Sequence, residues 1–491
     1  MPETLTRRRL LIPTGAPPPD DTVRLVSRTS FGPRSVDVEA ARRLGREEWL
    51  EQQLDYPSLD DRDVEALVDE LASTVRLTSP ELADYSDQRE AEIEAGGSGR
   101  NPRQEIASDL VAATILRAIH SPRQLYEVMV EFWTNHFSIS QLDGLASVLK
   151  TADDRDVVRR HALGNFRDLL HASAKSPAML FYLDNHLNIS SGPNENYARE
   201  LMELHTIGPD AFTQQDVEEV ARCFTGWSIS GRRPSEPFGL FSFRAATHDG
   251  GPRTVLGAPI PSGGMEQGEA VLDRLFDHPG TAQLVCRKLV QRFVSDRPPQ
   301  ALVDRAAEVF RSTEGNIAAV LRTILLSAEF EASDGGKLKR PFEFVVSVAR
   351  GFDLPPDTQL LSGLAQVIAQ MGQRPFGWPA PNGYPDSGAA WANTAGMLRR
   401  WNFGLAFEDA GRFQGIDLAA EISAVSPTAS AIVDHFVERL LHRSVSTLDR
   451  ETMIAFVRDT VGDGPLSSSE SLEAARRALV LVLDSPYFHS R

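Results

Sequence analysis

Three short stretches of the chain concentrate polar residues that a helical core does not need. They are Glu131–Phe137 (EFWTNHF), Asn194–His205 (NENYARELMELH) and Thr247–Gly250 (THDG). Imidazoles from His136, His248 and His205, with a carboxylate from Glu200, Glu203 or Asp249, form a donor set suited to Zn²⁺ or Fe²⁺ with an open coordination position. No local spacing of the H-E-x-x-H kind supports it, so the ligands would have to come from separated segments. Without a metal, His248 and Glu200 make an acid/base pair, with His136, Arg199 and Asp249 as further catalytic candidates. Asn135, Asn194, Asn196 and Trp227 lie in or beside the same motifs and are candidate binding residues.

Each candidate also has a structural reading. His136 falls on an apolar row with Leu125, Met129 and Phe132, where a hydrogen-bonded core histidine is common; buried, it must have a partner. Glu195, Arg199 and Glu203 are spaced for an ion-pair ladder along one helix face, with Tyr197, Leu201 and Leu204 on the core-facing row. That ladder leaves Glu200 and His205 unexplained; Glu200 and Glu203 are about 60° apart around a helix, close enough to address one ion. Asp249 precedes Gly250-Gly251-Pro252 and equally well bonds the turn itself.

A fourth constellation is Gly372–Trp391 (GQRPFGWPAPNGYPDSGAAW), whose prolines exclude a helix interior or central strand. Trp378, Tyr384 and Trp391 have the ring chemistry to stack on a sugar or peptide, and equally to fasten this loop to the body.

Helices must position these groups. One helix is expected to end near His120 and another to run from Pro122 to His136, with Ser121 as cap and Gln124 closing a capping box. Thr213 with Asp216, Pro279, Pro299, Arg340-Pro341 and Ser426-Pro427 mark further starts. Strand signals are confined to Trp227–Ser230 and Leu240–Arg244, which pair as a hairpin, with Val255 as a third bridge. The fold class is mainly α: a large multi-helix, bundle-like body with a small β-hairpin insertion around 227–257. Residues 1–20 read as a flexible tail and 86–103 as a surface linker. Residues 21–488 form one large helical domain, divisible into lobes at 21–335 and 336–488.

The chain of 491 residues carries a formal net charge of −17, which argues against nucleic acid as a partner. Two basic clusters, Arg287, Lys288 and Arg292, and Lys337, Lys339 and Arg340, read as solvated helix faces and ends. Cys223 and Cys286 form no disulfide framework or thiolate site and read as small free hydrophobes. No run of 18 apolar residues exists to span a membrane. The triple arginine Arg7-Arg8-Arg9 is followed by a polar, proline-rich stretch and no apolar h-region, so a cytoplasmic location is expected.

The motifs together resemble the bacterial domain of unknown function 1800 family. The similar stretches include Arg24–Gly32 (RLVSRTSFG), EFWTNHF, Tyr182–Asn185 (YLDN), Asn194–Gly208, Asp216–Trp227 (DVEEVARCFTGW), His248–Gly257 (HDGGPRTVLG), His278–Ala282, Lys288–Pro298, Arg340–Arg350 and the Gly372–Trp391 loop. The resemblance covers about residues 20–488 and implies a predominantly helical protein without an assigned reaction. It also implies a sulfatase-like partner encoded nearby, and export in some members, from which the N-terminus here departs. Phe is common in the family where this chain has His205, which leaves His136, Glu200 and His248 as the better ligand candidates.

Three functions follow. One is a metal-dependent or acid/base enzyme with a cleft assembled from the three motifs; another is a non-catalytic helical scaffold that binds a partner, its polar motifs fixing helix register. Carbohydrate or peptide binding at the aromatic loop is a third. Convergence of the motifs on one solvent-reachable cleft favours the enzyme.

Overall fold

A computed structural model describes residues 17–491 apart from 143, 232–236, 334–335, 407–415 and 463. Among the described residues 65% are helical and 4% are in strands, so the protein is mainly α. Its strands form two separate antiparallel hairpins, Trp227–Ile229 with Phe241–Phe243 and Arg253–Val255 with Ala258–Ile260. Val255 therefore pairs with Ala258 in its own hairpin and adds no third strand to the first. No helix among the described residues is long and apolar enough to cross a membrane.

Helix starts follow side-chain capping. Thr213 and Asp216 form a reciprocal capping box for Gln214–Cys223, and Asn101 caps Pro102–His120. Pro279 opens the helix ending at Phe293, with the His278 ring accepting from the Gly280 N–H. Two starts lie two residues beyond their expected positions. Ser121 accepts from the Arg123 N–H and donates to Asp61, and the helix begins at Gln124. The Gln124 amide is not in a capping box; it accepts from Phe31 N–H and donates to the Ala118 and Ser121 carbonyls. Likewise Thr428, after Ser426-Pro427, caps Ala429–Leu441.

The expected linker 86–103 is helical over its first half. The helix Ser79–Glu94 continues through it, capped by Thr78 and Glu81 and supported by the Arg89–Glu92 pair, and residues 95–101 connect to the next helix. Of the expected flexible tail, residues 1–16 lie outside the described residues. Residues 17–20 are tied down: Arg443 donates to the Pro17 carbonyl, Arg24 to that of Pro19, and Asp20 caps Asp21–Thr29.

The helix Gln124–His136 is buried along both its apolar rows, with Leu125, Met129 and Trp133 fully enclosed. Its polar edges are satisfied by backbone: the Trp133 indole donates to the Ala162 carbonyl and the Tyr126 hydroxyl to that of Arg159. One apolar core runs from Val23 to Phe488, and the helix Pro341–Gly351 packs against Pro102–His120 across the expected lobe division. Arg350 reinforces that junction by donating to the Gly32, Ala118 and Ile119 carbonyls and pairing with Asp37. Both cysteines are free and buried, and burial pushes each thiol up to about 12.

Two π-helical segments interrupt the α-helices, Asp154–Arg159 and Leu201–His205. In the second, the Ile207 N–H reaches back five residues to the Met202 carbonyl. This extra residue changes which side chains face inward. Tyr197, Leu201, Met202 and His205 are buried, and Leu204, expected in the core row, is only half-buried.

Buried charge concentrates at Glu343. Arg292, Arg340 and Arg491 all pair with its Oε1, and the Arg340 N–H donates to Oε2 at 2.8 Å. Burial would raise this carboxyl, but the three guanidinium groups hold it well below the usual range. Its contribution to stability is thus present above the unfolded carboxylate pKa and is lost as pH falls through the depressed folded value. Glu343→Gln should cost about 3–5 kcal/mol at neutral pH by stranding buried cations. In urea titrations the gap to wild type should shrink as the pH is lowered; an equal gap at every pH would contradict the assignment.

Candidate functional site

His136 ends the helix Gln124–His136, Lys288 lies within Pro279–Phe293, and the turn Leu201–His205 closes the space between them. The His136 Nε2 is 3.1 Å from the His205 carbonyl oxygen, and its Nδ1 is 3.0 Å from Lys288 Nζ. A carbonyl only accepts, so Nε2 carries the hydrogen and Nδ1 is free to accept from the lysine. Lys288 also donates to the Leu204 carbonyl at 3.1 Å. Both carbonyls belong to the last turn of their helix, where acceptors lack intrahelical donors and the backbone dipole favours a cation.

Burial, followed by the neighbouring Lys288 charge, holds the His136 ring neutral, well below the ordinary imidazole range. Burial likewise lowers Lys288 to about 8 and His205 to about 3. Two of the three hydrogen positions on the Lys288 ammonium are occupied by His136 and Leu204. Lys288 also lines a cavity.

That cavity has a volume of about 160 Å³, and its walls include His136, Lys288, Gln291, Arg292, Arg340 and Asp386, with exposed Asn382 at its edge. Arg292 and Arg340 are almost wholly enclosed, yet Nε and Nη2 of Arg292 and Nε of Arg340 have no hydrogen-bond partner among the described residues. Glu131 lies 3.7 Å from Arg292 Nη2 and Asp386 3.9 Å from Arg340 Nε, too far for hydrogen bonds. The charge of both guanidinium groups is balanced instead by Glu343, Glu131 and Asp386, with Arg340 donating to Glu131 at 2.5 Å.

The two basic clusters are therefore not the solvated faces expected of them. Arg292, Lys337, Lys339 and Arg340 are buried, Lys288 is partly so, and only Arg287 is exposed. A signal for this exists in the chain: Lys288 and Arg292 continue the row of Thr281 and Val285 on an otherwise apolar helix face. Asp386 comes from the Gly372–Trp391 loop and Glu343 from Pro341–Gly351, which no local spacing links to Lys288.

The expected three-motif cleft does not assemble. His136 and His205 are neighbours, with ring centroids 5.9 Å apart, whereas His248 is held elsewhere by the Thr225 carbonyl at 2.8 Å and Gln267 at 3.0 Å. Asp249 is paired with Arg222 and Arg253, which hold its carboxyl below the usual range against the effect of burial. Arg199 donates to Gln214 and Glu195, and the expected third rung at Glu203 is absent among the described residues because the π turn alters the spacing. Glu200 and Glu203 are half-buried neighbours; burial and then the Glu203 charge raise the Glu200 pKa. No group of three His, Cys, Asp or Glu side chains placed to hold a metal occurs among the described residues. The proposed ligand set of His136, Glu200, Glu203, His205 and His248 thus does not converge, and both ring nitrogens of His136 and of His248 are engaged.

The binding candidates are mostly structural. Asn135 clamps the aromatic loop, donating to the Tyr384 carbonyl at 2.8 Å and accepting from the Tyr384 N–H at 2.7 Å. Asn194 accepts from the Asn196 N–H in a local turn, and Asn196 donates to the Leu183 carbonyl. Trp227 is fully buried. Trp378 and Tyr384 pack on each other with centroids 4.8 Å apart and donate to Asn382 and the Arg374 carbonyl, so the rings fasten the loop. Tyr384 does line the cavity. Asn185 and Asn188, not singled out by their sequence context, knit the second motif to Ala221, Phe224 and Trp227 through backbone carbonyls.

The model of a family described as protein of unknown function (DUF1800) matches residues 24–490. No curated protein and no solved structure matches the chain.

Replacing His136 by Ala empties a buried helix row and removes an acceptor from Lys288. Chemical denaturation should register a loss of about 2–4 kcal/mol. A variant as stable as wild type would show that the His136 contacts contribute nothing to the fold.

Proposed function

The chain belongs to the DUF1800 family, and we propose that the cavity beside Lys288 is the active site of an acid/base enzyme acting on a small anionic substrate. The observation that carries this reading is the Lys288 amino group, bound on two sides by His136 Nδ1 and the Leu204 carbonyl, in a cavity whose lining also includes Arg292 and Arg340.

A carboxylate or phosphate in the cavity lies in the field of the Arg292 and Arg340 guanidinium groups and beside Lys288. With its pKa lowered to about 8, Lys288 is unprotonated in a useful fraction of molecules near neutral pH and can accept a proton there. His136 keeps its place in the bond network in both states, because a neutral Nδ1 accepts equally from an ammonium or an amine. Negative charge that develops on the substrate stays next to the guanidinium pair. The cavity, equal to the liquid volume of about five water molecules, has room for a compact anion.

The scaffold reading has its own support in the second and third motifs. The Asn185–Asn188 and His248–Gln267 networks spend their polar groups on backbone and on each other, as register-fixing networks do. On the present reading those motifs support the half of the body that presents the His205 and Leu204 carbonyls.

Competitive acetylation with acetic anhydride, read residue by residue by mass spectrometry, tests the proposal. Lys288 should titrate near 8, and oxalate at constant ionic strength should slow its modification by about tenfold while sparing exposed lysines. A Lys288 that titrates with the surface lysines, or is indifferent to oxalate, removes the basis for an anionic substrate at this site.

A further inference from the structure

We infer that the Gly372–Trp391 loop is a lid over the cavity beside Lys288, latched at Asn135, and that its lifting admits a ligand. The inference goes beyond the reading above and rests on it only in taking that cavity as the place a ligand must reach.

The loop supplies one wall of each cavity on this side of the molecule. Asn382, Tyr384 and Asp386 line the one beside Lys288, and Phe376, Trp378 and Tyr384 the smaller, mostly apolar one. Both ends of the loop are fixed. Gln373 is buried and accepts from the Phe342 N–H at 2.9 Å. At the other end the Asp386 carbonyl accepts from Gln291 at 3.1 Å and Lys337 at 3.0 Å, and Asp296 accepts from the Gly388 N–H.

Between these ends the loop is held lightly. No helix or strand runs from 374 to 387, and from 374 to 390 the one buried residue is Gly383. Hydrogen bonds from the body to residues 374–385 come, among the described residues, from three positions. Gln141 donates to the Pro375 and Phe376 carbonyls, Tyr182 to that of Pro379, and Asn135 brackets Tyr384 through its N–H and its carbonyl. A segment with so little buried apolar surface and no hydrogen-bonded ladder opens at a much lower free energy than the helices beneath it. Structureless stretches of this length in a compact body are uncommon, and active-site lids are among their known uses.

Asn135 and Gly383 form the latch. Gly383 has φ 70, and a Cβ added there would lie 2.3 Å from the Asn135 carbonyl oxygen, so only glycine lets the loop close this far. Phe376 stands at φ 54, in the left-handed region that residues with a Cβ rarely adopt, so the closed loop holds strain that lifting releases. Asn135 adjoins His136, whose Nδ1 accepts from Lys288, so the latch and the partner of the amine are consecutive residues.

Two readouts on the intact chain test the lid. In amide hydrogen exchange the Tyr384 N–H, held by Asn135, should be protected only about 10- to 100-fold, far less than the amides of the Gln124–His136 helix. The second readout compares acylation of Lys288 by acetic anhydride and by a biotin succinimidyl ester too large for the cavity. Both reagents need the same neutral amine, so the ratio of their rates reports access and not basicity. In wild type the ester should disfavour Lys288 relative to exposed lysines, and Gly383→Ala, which alters no residue lining either cavity, should raise the ratio about fivefold or more. Asn135→Ala should do the same. A Tyr384 amide as protected as the helix, or a ratio unmoved in both variants, overturns the lid. If the ratio responds while oxalate leaves Lys288 unprotected, the lid stands and the anionic-substrate reading fails; if oxalate protects and the ratio is unmoved, the reading stands and the lid fails.

Discussion

Glu343 sits where the helices Pro279–Phe293 and Pro341–Gly351 meet the final residues of the described chain, and Arg292, Arg340 and Arg491 all pair with this wholly enclosed carboxylate. Low-dielectric surroundings make such a cluster unforgiving: the cations need the carboxylate, and the carboxylate would not ionise without them. Because Glu343 occupies only part of each guanidinium fork, the arginines are fixed in position yet keep donors to spare. The site beside Lys288 inherits its geometry from that arrangement. A fold that merely needed to fill this volume would do so with apolar side chains at lower risk.

Much of the architecture was legible before any coordinates. Thr213 marks a helix start by local chemistry that no tertiary contact overrode, and the first hairpin followed from two short apolar strands around a glycine-bounded turn. Ser121 misled because its hydroxyl serves Asp61, sixty residues away, as well as a neighbouring N–H. The Glu195–Arg199–Glu203 ladder kept its first rung and lost its second among the described residues, because an α spacing was assumed where the backbone turns as a π-helix.

The site was half visible. His136 stood out as a polar ring on an apolar row, and its burial is borne by the structure at 4% exposure. Its partner did not stand out, since Lys288 lies 152 residues away, and a lysine in an acidic chain reads as surface. Arg292 and Arg340 were visible as charges but not as neighbours of one another. His248 and Asp249 had the right chemistry in the wrong place: their partners Gln267, Thr225 and Arg222 absorb it. Asn135, beside His136 in the same motif, and Tyr384 line both the cavity next to Lys288 and a mostly apolar one of about 60 Å³.

The Leu201–His205 turn presents the two carbonyls that hold Lys288 and His136, and it does so with main-chain atoms alone. Side-chain identity in the turn is therefore a weak constraint on those contacts, while the number of residues is a strong one. Loss of a single codon there would let the segment close as an ordinary α-helix and take away the extra residue by which the turn brings its carbonyls to Lys288 and His136. The heritable information in this stretch is a length, and gaps placed within it when relatives are aligned would mark the chains in which the lysine has lost its socket.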